Sequence, residues 1–351
     1  MAYNFLTASK DASVYLQQPN QNTGLDEIME ISKVYYGNIK DVSRALIKFD
    51  LSSLKTGSII EEAKLILKET KSEELPIDYT LYAFPITGSW EMGNGTRFDN
   101  ISTTGVCWNY REGDTVIDWI SNGLTLHMDS NPTDGTGGVW DSRYSASQTF
   151  NYQTADIDMD VKSILKLWIS GSIENEGLII KHDSSKENDT QDYGIVKVFS
   201  KETHTIYQPK IRIGWDDQSY ITGSMLPLEA DELKVSVSNP KTEYKLGTEA
   251  KIKIFARELY PVKTFGTEFA YNVIKYLPKN SYYQIKDINS EDIIIPFSEY
   301  SKISCDENGN YIKLNFSNWE ADRVYKIEFK IDMDGNVQYF DNNITFSIVK
   351  R

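Results

Sequence analysis

Three histidines, His127, His182 and His204, are the only imidazoles in 351 residues. None has the helical i, i+4 spacing or the cysteine neighbour of a zinc site, so no zinc centre is expected. His182 and His204 lie beside turn-forming residues and read as solvent-exposed. Catalysis requires paired groups with displaced pKa values in a cleft. Carboxylates are abundant, and a glycosidase pair needs one acid in an apolar cleft. Glu91, directly after Trp90, is the one candidate of that kind. The preferred reading puts Trp90 in the core and Glu91 at a strand end. No catalytic residue is assigned and no enzyme activity is expected.

Asp156, Asp158 and Asp160 alternate with Ile157 and Met159. On a strand these carboxylates share one face, about 7 Å apart. Asp156 and Asp158 could then gather Ca²⁺, which takes about six to eight oxygens. A solvated acidic face, with Asp160 capping a helix, is the favoured alternative, so no cofactor is expected. Residues 129–135 (DSNPTDG) are oxygen-rich but lack the EF-hand spacing and its bidentate Glu, and read as a turn. Trp140, in the glycine-rich TGGVWDSRY, pairs with Tyr144 as a candidate exposed platform for a glycan. The rival reading is a tryptophan anchoring its own loop. Trp108, Trp168 and Trp215 follow strand or helix periodicity and read as core. Cys107 and Cys305 are too far apart to suggest a disulfide framework and read as small buried apolar residues.

The elements that must position these residues are mostly strands. Residues 43–54 (SRALIKFDLSSL) place Ala45, Ile47, Phe49 and Leu51 on one face and Lys48 and Asp50 on the other, a half-buried strand. Similar alternation marks 62–70, 79–86, 177–181, 193–200 and 209–215, with turns at 91–96 and 129–138. One helix is expected after Asp160, with Val161, Ile164, Leu165 and Trp168 on one face and Gly171 ending it. Strand patterns resume at 233–237, 250–256, 311–317, 324–333 and 343–349, with tight turns at Asn308-Gly309 and Asp334-Gly335. The expected fold is all-β. An N-terminal jelly-roll or β-sandwich with one short helix covers 1–216, a linker covers 217–228, and an immunoglobulin-like sandwich without the Cys-Trp-Cys hallmark covers 229–351.

The net charge is −14, of which −11 falls in 1–216 and −3 in 217–351. No Lys/Arg stripe that could neutralise phosphates is visible, so nucleic-acid binding is not expected. No apolar run nears the ~18 residues needed to span a bilayer, so no membrane partner is expected. The start, MAYNFLTASKDAS, lacks the basic and apolar regions of a secretory signal. The expectation is synthesis in a cytoplasm, with exit, if any, by lysis or in a particle.

Residues 1–216 resemble the DNRLRE domain family, a β-sandwich of carbohydrate-binding-module type found in surface and virion proteins. The likeness lies in 11–15 (DASVY), in 44–54 with Arg44 and Phe49-Asp50, and in 63–67 (AKLIL). It continues through Trp90-Glu91 and 106–108 (VCW), then 160–170, 176–180 and 207–213. The closing strand has isoleucines where the family has Leu and Val, and the insert at 121–149 departs from the pattern. The tandem with an immunoglobulin-like domain and the acidic composition look like structural proteins of tailed-phage particles. The resemblance implies a non-enzymatic virion protein of the neck, tail or baseplate, whose partners are other virion proteins and copies of itself in a symmetric ring. In 269–283 (FAYNVIKYLPKNSYY), Tyr276, Leu277, Tyr282 and Tyr283 are candidate contacts, although a buried strand pair explains several of them as well. The alternative is a carbohydrate-binding attachment module recognising a host-surface glycan.

Overall fold

The computed structural model describes residues 3–54, 59–76, 78–99, 101–102, 104–113, 116–121, 124–126, 128, 139–151, 156–229, 232–262 and 270–350. Strands make up 50% of the chain and helices 5%, an all-β sandwich architecture. The chain divides into two compact units, Leu6–Ile213, and Gly214–Arg351 together with Met1–Phe5. Among the described residues no helix is long and apolar enough to cross a membrane.

The Leu6–Ile213 unit is built from β1 (Tyr3–Tyr15), β2 (Ile28–Tyr36), β3 (Ile39–Phe49), β4 (Glu62–Leu67), β5 (Glu69–Glu73) and β6 (Asp78–Pro85). Then come β7 (Tyr110–Glu112), β8 (Ile117–Ser121), β9 (Leu124–Leu126), β10 (Ala146–Asn151), β11 (Ile157–Asp160), α1 (Lys162–Ile169), β12 (Leu178–His182), α2 (Ser184–Glu187), β13 (Gly194–Phe199) and β14 (Lys210–Gly214). Eleven strands hydrogen-bond in the order β10-β6-β12-β3-β1-β14-β4-β11, with β2, β13 and β5 branching from β3. The strands β7, β8 and β9 form a separate small sheet.

Strand β3 is not half-buried. Ala45, Ile47 and Phe49 face one core, but Arg44 and Leu46 on the opposite face are buried too. Trp90, Val106, Trp108, Trp119, Met128, Val139 and Trp140 pack as one apolar cluster with Leu46, Val14, Val42 and Ile179 and cover that second face. Period two reports the pleat, not how many faces are covered. Helix α1 buries Ile164, Leu165 and Trp168. Val161 occupies its N-cap, and Asp160, one residue earlier, accepts from Lys162 N at 2.9 Å. At the far end Gly171 has φ +71°, with Gly171 N bonded to Trp168 O and Ser172 N to Leu167 O, a Schellman stop.

The other unit contains β15 (Leu226–Pro227), β16 (Leu233–Val237), β17 (Glu243–Lys245), β18 (Glu249–Glu258), β19 (Lys275–Tyr276), β20 (Ser281–Asp287) and β21 (Ile293–Ile295). It ends with β22 (Ser304–Asp306), β23 (Gly309–Asn315), β24 (Val324–Met333) and β25 (Asn336–Val349). Its two main sheets run β16-β18-β23-β22 and β17-β25-β24-β20-β21. Strand β17 pairs parallel with β25, and the other pairs in these two sheets are antiparallel. This is the strand order of an immunoglobulin sandwich. Its core carries the packed rings of Phe316, Trp319, Tyr325 and Phe346, Trp319 meeting Phe316 and Tyr325 edge-on and Phe346 tilted against Phe316 and Tyr325. Residues 217–228 are built into this unit: Ile221 N donates to Cys305 O, and β15 pairs with β19. Tyr3 and Phe5 join it as well, Phe5 meeting Trp319 edge-on at 6.2 Å. Cys107 and Cys305 are both free and buried.

Candidate functional site

The local structure around Arg44 follows from where charge is buried. Asp183 caps α2 by accepting from Ser185 N at 2.8 Å. That turn delivers Glu187 inward, where it meets Arg44 of β3 in a two-pronged pair, Nε to Oε1 at 3.1 Å and Nη2 to Oε2 at 2.7 Å. The third guanidinium nitrogen donates to Met128 O. The guanidinium lies between the rings of Trp108 (4.6 Å) and Trp140 (5.0 Å). Lys181 of β12 places Nζ 3.1 Å from Glu187 Oε2 and over Trp140 at 5.1 Å. It also donates to His182 O at 2.6 Å and Ser184 Oγ at 3.2 Å.

Electrostatics follow from that geometry. Burial alone would raise the Glu187 pKa, but the Arg44 and Lys181 charges hold it below the ordinary carboxylate range. Burial, only partly offset by Glu187, brings Lys181 down to about 8. The cluster is buried, with one carboxylate shared by two cations over tryptophan rings, which suits fastening α2 and the tryptophan-rich layer to the sheet rather than proton transfer.

Beside this cluster a groove of about 440 Å³ opens between β6, β10, β12 and the 183–193 segment. Its lining includes Tyr79, Tyr82, His182, Lys186 and Tyr193. Three of its lining residues have neighbouring rings, Tyr79 to His182 at 6.4 Å and His182 to Tyr193 at 5.6 Å, and Phe150, which does not line the groove, stacks on Tyr79 at 4.7 Å. The fully buried Lys33 steadies the Tyr193 end by donating to Gln191 O and lying 5.8 Å from the Tyr193 ring centre.

Several expectations are corrected. His182 is 2% exposed, not a solvent-facing turn residue. It ends β12, a strand buried on both faces, and pairs opposite Leu81. Trp140 is 4% exposed and is no open platform; it anchors its loop by packing on Phe84 and the two cations. Tyr144 is half-buried beside Arg143. Leu277 and Tyr283 are buried in the second unit's core and are not surface contacts, because both point inward between its sheets. Tyr276 and Tyr282 are half-buried; Tyr276 meets Tyr220 edge-on and Tyr282 donates to Glu299. Trp215, expected in the core, is also only half-buried.

The carboxylates expected to suit Ca²⁺ already have cationic neighbours. Asp156 accepts from Lys68 Nζ at 2.7 Å and Glu69 N at 3.0 Å, and Asp158 lies 4.0 Å from Lys64 Nζ. Among the described residues no group of three or more His, Cys, Asp or Glu could hold a metal ion. Trp90 is buried, while Glu91 is largely exposed and paired with Lys10 at 3.0 Å. His204 is exposed beside Glu27. His127 and residues 129–135 lie outside the described residues.

No protein-family model matches the chain, and no curated protein matches it. Among solved structures it is similar to a DUF4785 family protein from Legionella pneumophila, with 8% identity and a TM-score of 0.22, over 99% of this chain and 65% of that one. It is also similar to a β-glucuronidase from Parabacteroides merdae, with 7% identity and a TM-score of 0.17, over 84% of this chain and 30% of that one. The chain thus spans under two thirds of the length of either protein. Likenesses this distant carry no functional argument.

Proposed function

We propose that this protein is a non-enzymatic virion component of a tailed phage, in the neck, tail or baseplate, acting through contacts with other virion proteins and with its own copies in a ring. The phage assignment rests on the sequence resemblance. The observation that supports the assembly reading is a set of exposed apolar side chains on the immunoglobulin-like unit, in segments flanking the Lys275–Glu258 ion pair. Leu226 pairs with Lys275, and Lys275 Nζ meets Glu258 at 2.6 Å. Ile274 precedes Lys275, while Leu259 and Tyr260 follow Glu258 and Val262 lies just beyond; all five apolar side chains are exposed, Val262 at 84%. Clustered exposed apolar side chains mark contact surfaces. Light scattering of the full chain at particle-like concentration tests this: an oligomer that Leu226→Glu with Val262→Glu dissolves supports it, and a persistent monomer contradicts it.

A second reading, a carbohydrate-binding attachment module, is favoured by one observation, the aromatic groove beside His182. Trp140 and Tyr144 would not be its platform.

A further inference from the structure

We infer that the outward face of strands β16, β18 and β23 is a cationic docking surface for the acidic Leu6–Ile213 unit of a second copy of this chain. This rests on the assembly reading and gives it one interface, joining two different surfaces of neighbouring copies.

Like charges are set against one another on that face. In the strand register Lys234 lies opposite Arg257 and Lys251 opposite Lys313, while Lys253 lies opposite Tyr311. Ile252, Ile254 and Ala256 of β18 are buried, so Lys251, Lys253 and Arg257 share the outward side of the pleat. The four lysines are exposed and Arg257 is half-buried. The Tyr311 ring lies beneath two ammonium groups, 3.9 Å from Lys251 Nζ and 5.7 Å from Lys313 Nζ. Among the described residues, the carboxylate in salt-bridge range of these five cations is that of Asp306, at Lys251. Like charges directly opposite one another weaken a sheet. Lysines that guard against aggregation sit on edge strands, whereas β18 and β23 are the inner strands of the order β16-β18-β23-β22. Neither sheet stability nor edge protection selects this arrangement; an anionic surface laid over it makes it favourable.

The distribution of charge selects the occupant. Residues 1–216 carry −11 and residues 217–351 carry −3, so the complement of this cationic row is the other unit, supplied by a neighbouring copy. A nucleic acid is disfavoured. Glu232 and Glu249 stand at the margins of the row and Asp306 beside Lys251, where they repel a continuous phosphate chain, and the whole chain carries −14. The scattered carboxylates of a protein surface fit between them. Four of the five cations are lysines, point charges rather than the bidentate clamps that arginine offers phosphate. From Lys251 to Arg257 the row runs about 20 Å along β18, room for several ion pairs. Beyond Arg257 it continues into the exposed Leu259 and Tyr260, which belong to the apolar set that supports assembly. A contact between two different surfaces is heterologous, the kind that closes a ring when its rotation allows.

The test is light scattering of the full chain, with carbodiimide cross-linking of lysines to carboxylates in an equal mixture of ¹⁴N and ¹⁵N copies. Lys253→Glu and Lys313→Glu change exposed side chains, so both should fold. Lys313→Glu should raise the urea midpoint, because it sets a carboxylate opposite Lys251. The expected result is self-association weakened about tenfold or more by the double variant, and weakened again when salt rises from about 0.05 to about 0.5 M. Mixed-isotope links should join Lys251, Lys253 or Lys313 to carboxylates of residues 6–213. An oligomer that keeps its size in the double variant and at high salt overturns this surface while sparing the assembly reading. Links from these lysines to residues 214–351 alone, or within single copies alone, overturn the occupant. Capture of a single-stranded oligonucleotide that the double variant abolishes, without self-association, overturns the occupant in favour of nucleic acid. A persistent monomer that binds no oligonucleotide overturns the surface and the assembly reading together.

Discussion

Arg44 and Glu187, 143 positions apart in sequence, meet in a buried two-pronged ion pair with the guanidinium between two tryptophan rings. The pair ties the central strand β3 to the short helix α2 and to the tryptophan-rich layer over the sheet. Removing Glu187 leaves two buried cations, Arg44 and Lys181, without their carboxylate. Glu187→Ala should therefore destabilise the protein by about 3–5 kcal/mol, read as a lower urea midpoint. Arg44→Met with Lys181→Met and Glu187→Leu should recover much of that loss, because no charge is then left unpaired.

Trp140 separates a structural from a surface role. Buried against Phe84, Arg44 and Lys181, it should cost about 3–5 kcal/mol when replaced by alanine, seen in thermal or urea unfolding. An exposed platform would tolerate the change with stability nearly unaltered.

Stability should depend on pH through two buried groups of opposite sign. Burial raises Asp11 from 3.8 to about 7, against the opposing hydrogen bond from Lys201 N. The native state thus holds this proton more tightly than the unfolded chain, so stability from Asp11 is greatest below pH 3.8 and is lost as pH rises to about 7. Burial lowers His182 from 6.5 to about 4, so its contribution is full above pH 6.5 and is lost as pH falls toward 4. The two slopes oppose each other between pH 4 and 6.5. Asp11→Asn should raise the urea midpoint at pH 8 more than at pH 5, and should unmask the acid-side loss due to His182. An unchanged pH profile in that variant would contradict the assignment.

The turn Asp334-Gly335 has φ of +52° and +98°, both in the left-handed region. Gly335→Ala should cost about 1–2 kcal/mol, whereas Asp334→Asn should be near neutral because Asn accepts positive φ. Urea unfolding of the two variants distinguishes them.

Much of the fold was legible because its elements obey local rules. The 233–237 and 324–333 strands fall where alternation puts them, and Gly171 stops α1 by the expected left-handed turn. The site was less legible because burial is a tertiary property. The Arg44–Glu187 pair spans most of the N-terminal unit, and neither residue's neighbours announce the other. The second cover over β3 comes from tryptophans around positions 90–140 that carry little strand alternation. Leu277 and Tyr283 have the composition of contact residues, yet lie inside the core, because aromatic content does not distinguish a core from an interface.

The central claim, that this chain is an assembly protein of a virion, is tested most directly by quantitative mass spectrometry of density-banded phage particles. The account predicts peptides of this chain in the band at a fixed multiple copy number relative to the major capsid protein. Particles that band without it, alongside soluble monomer in the lysate, would contradict the claim.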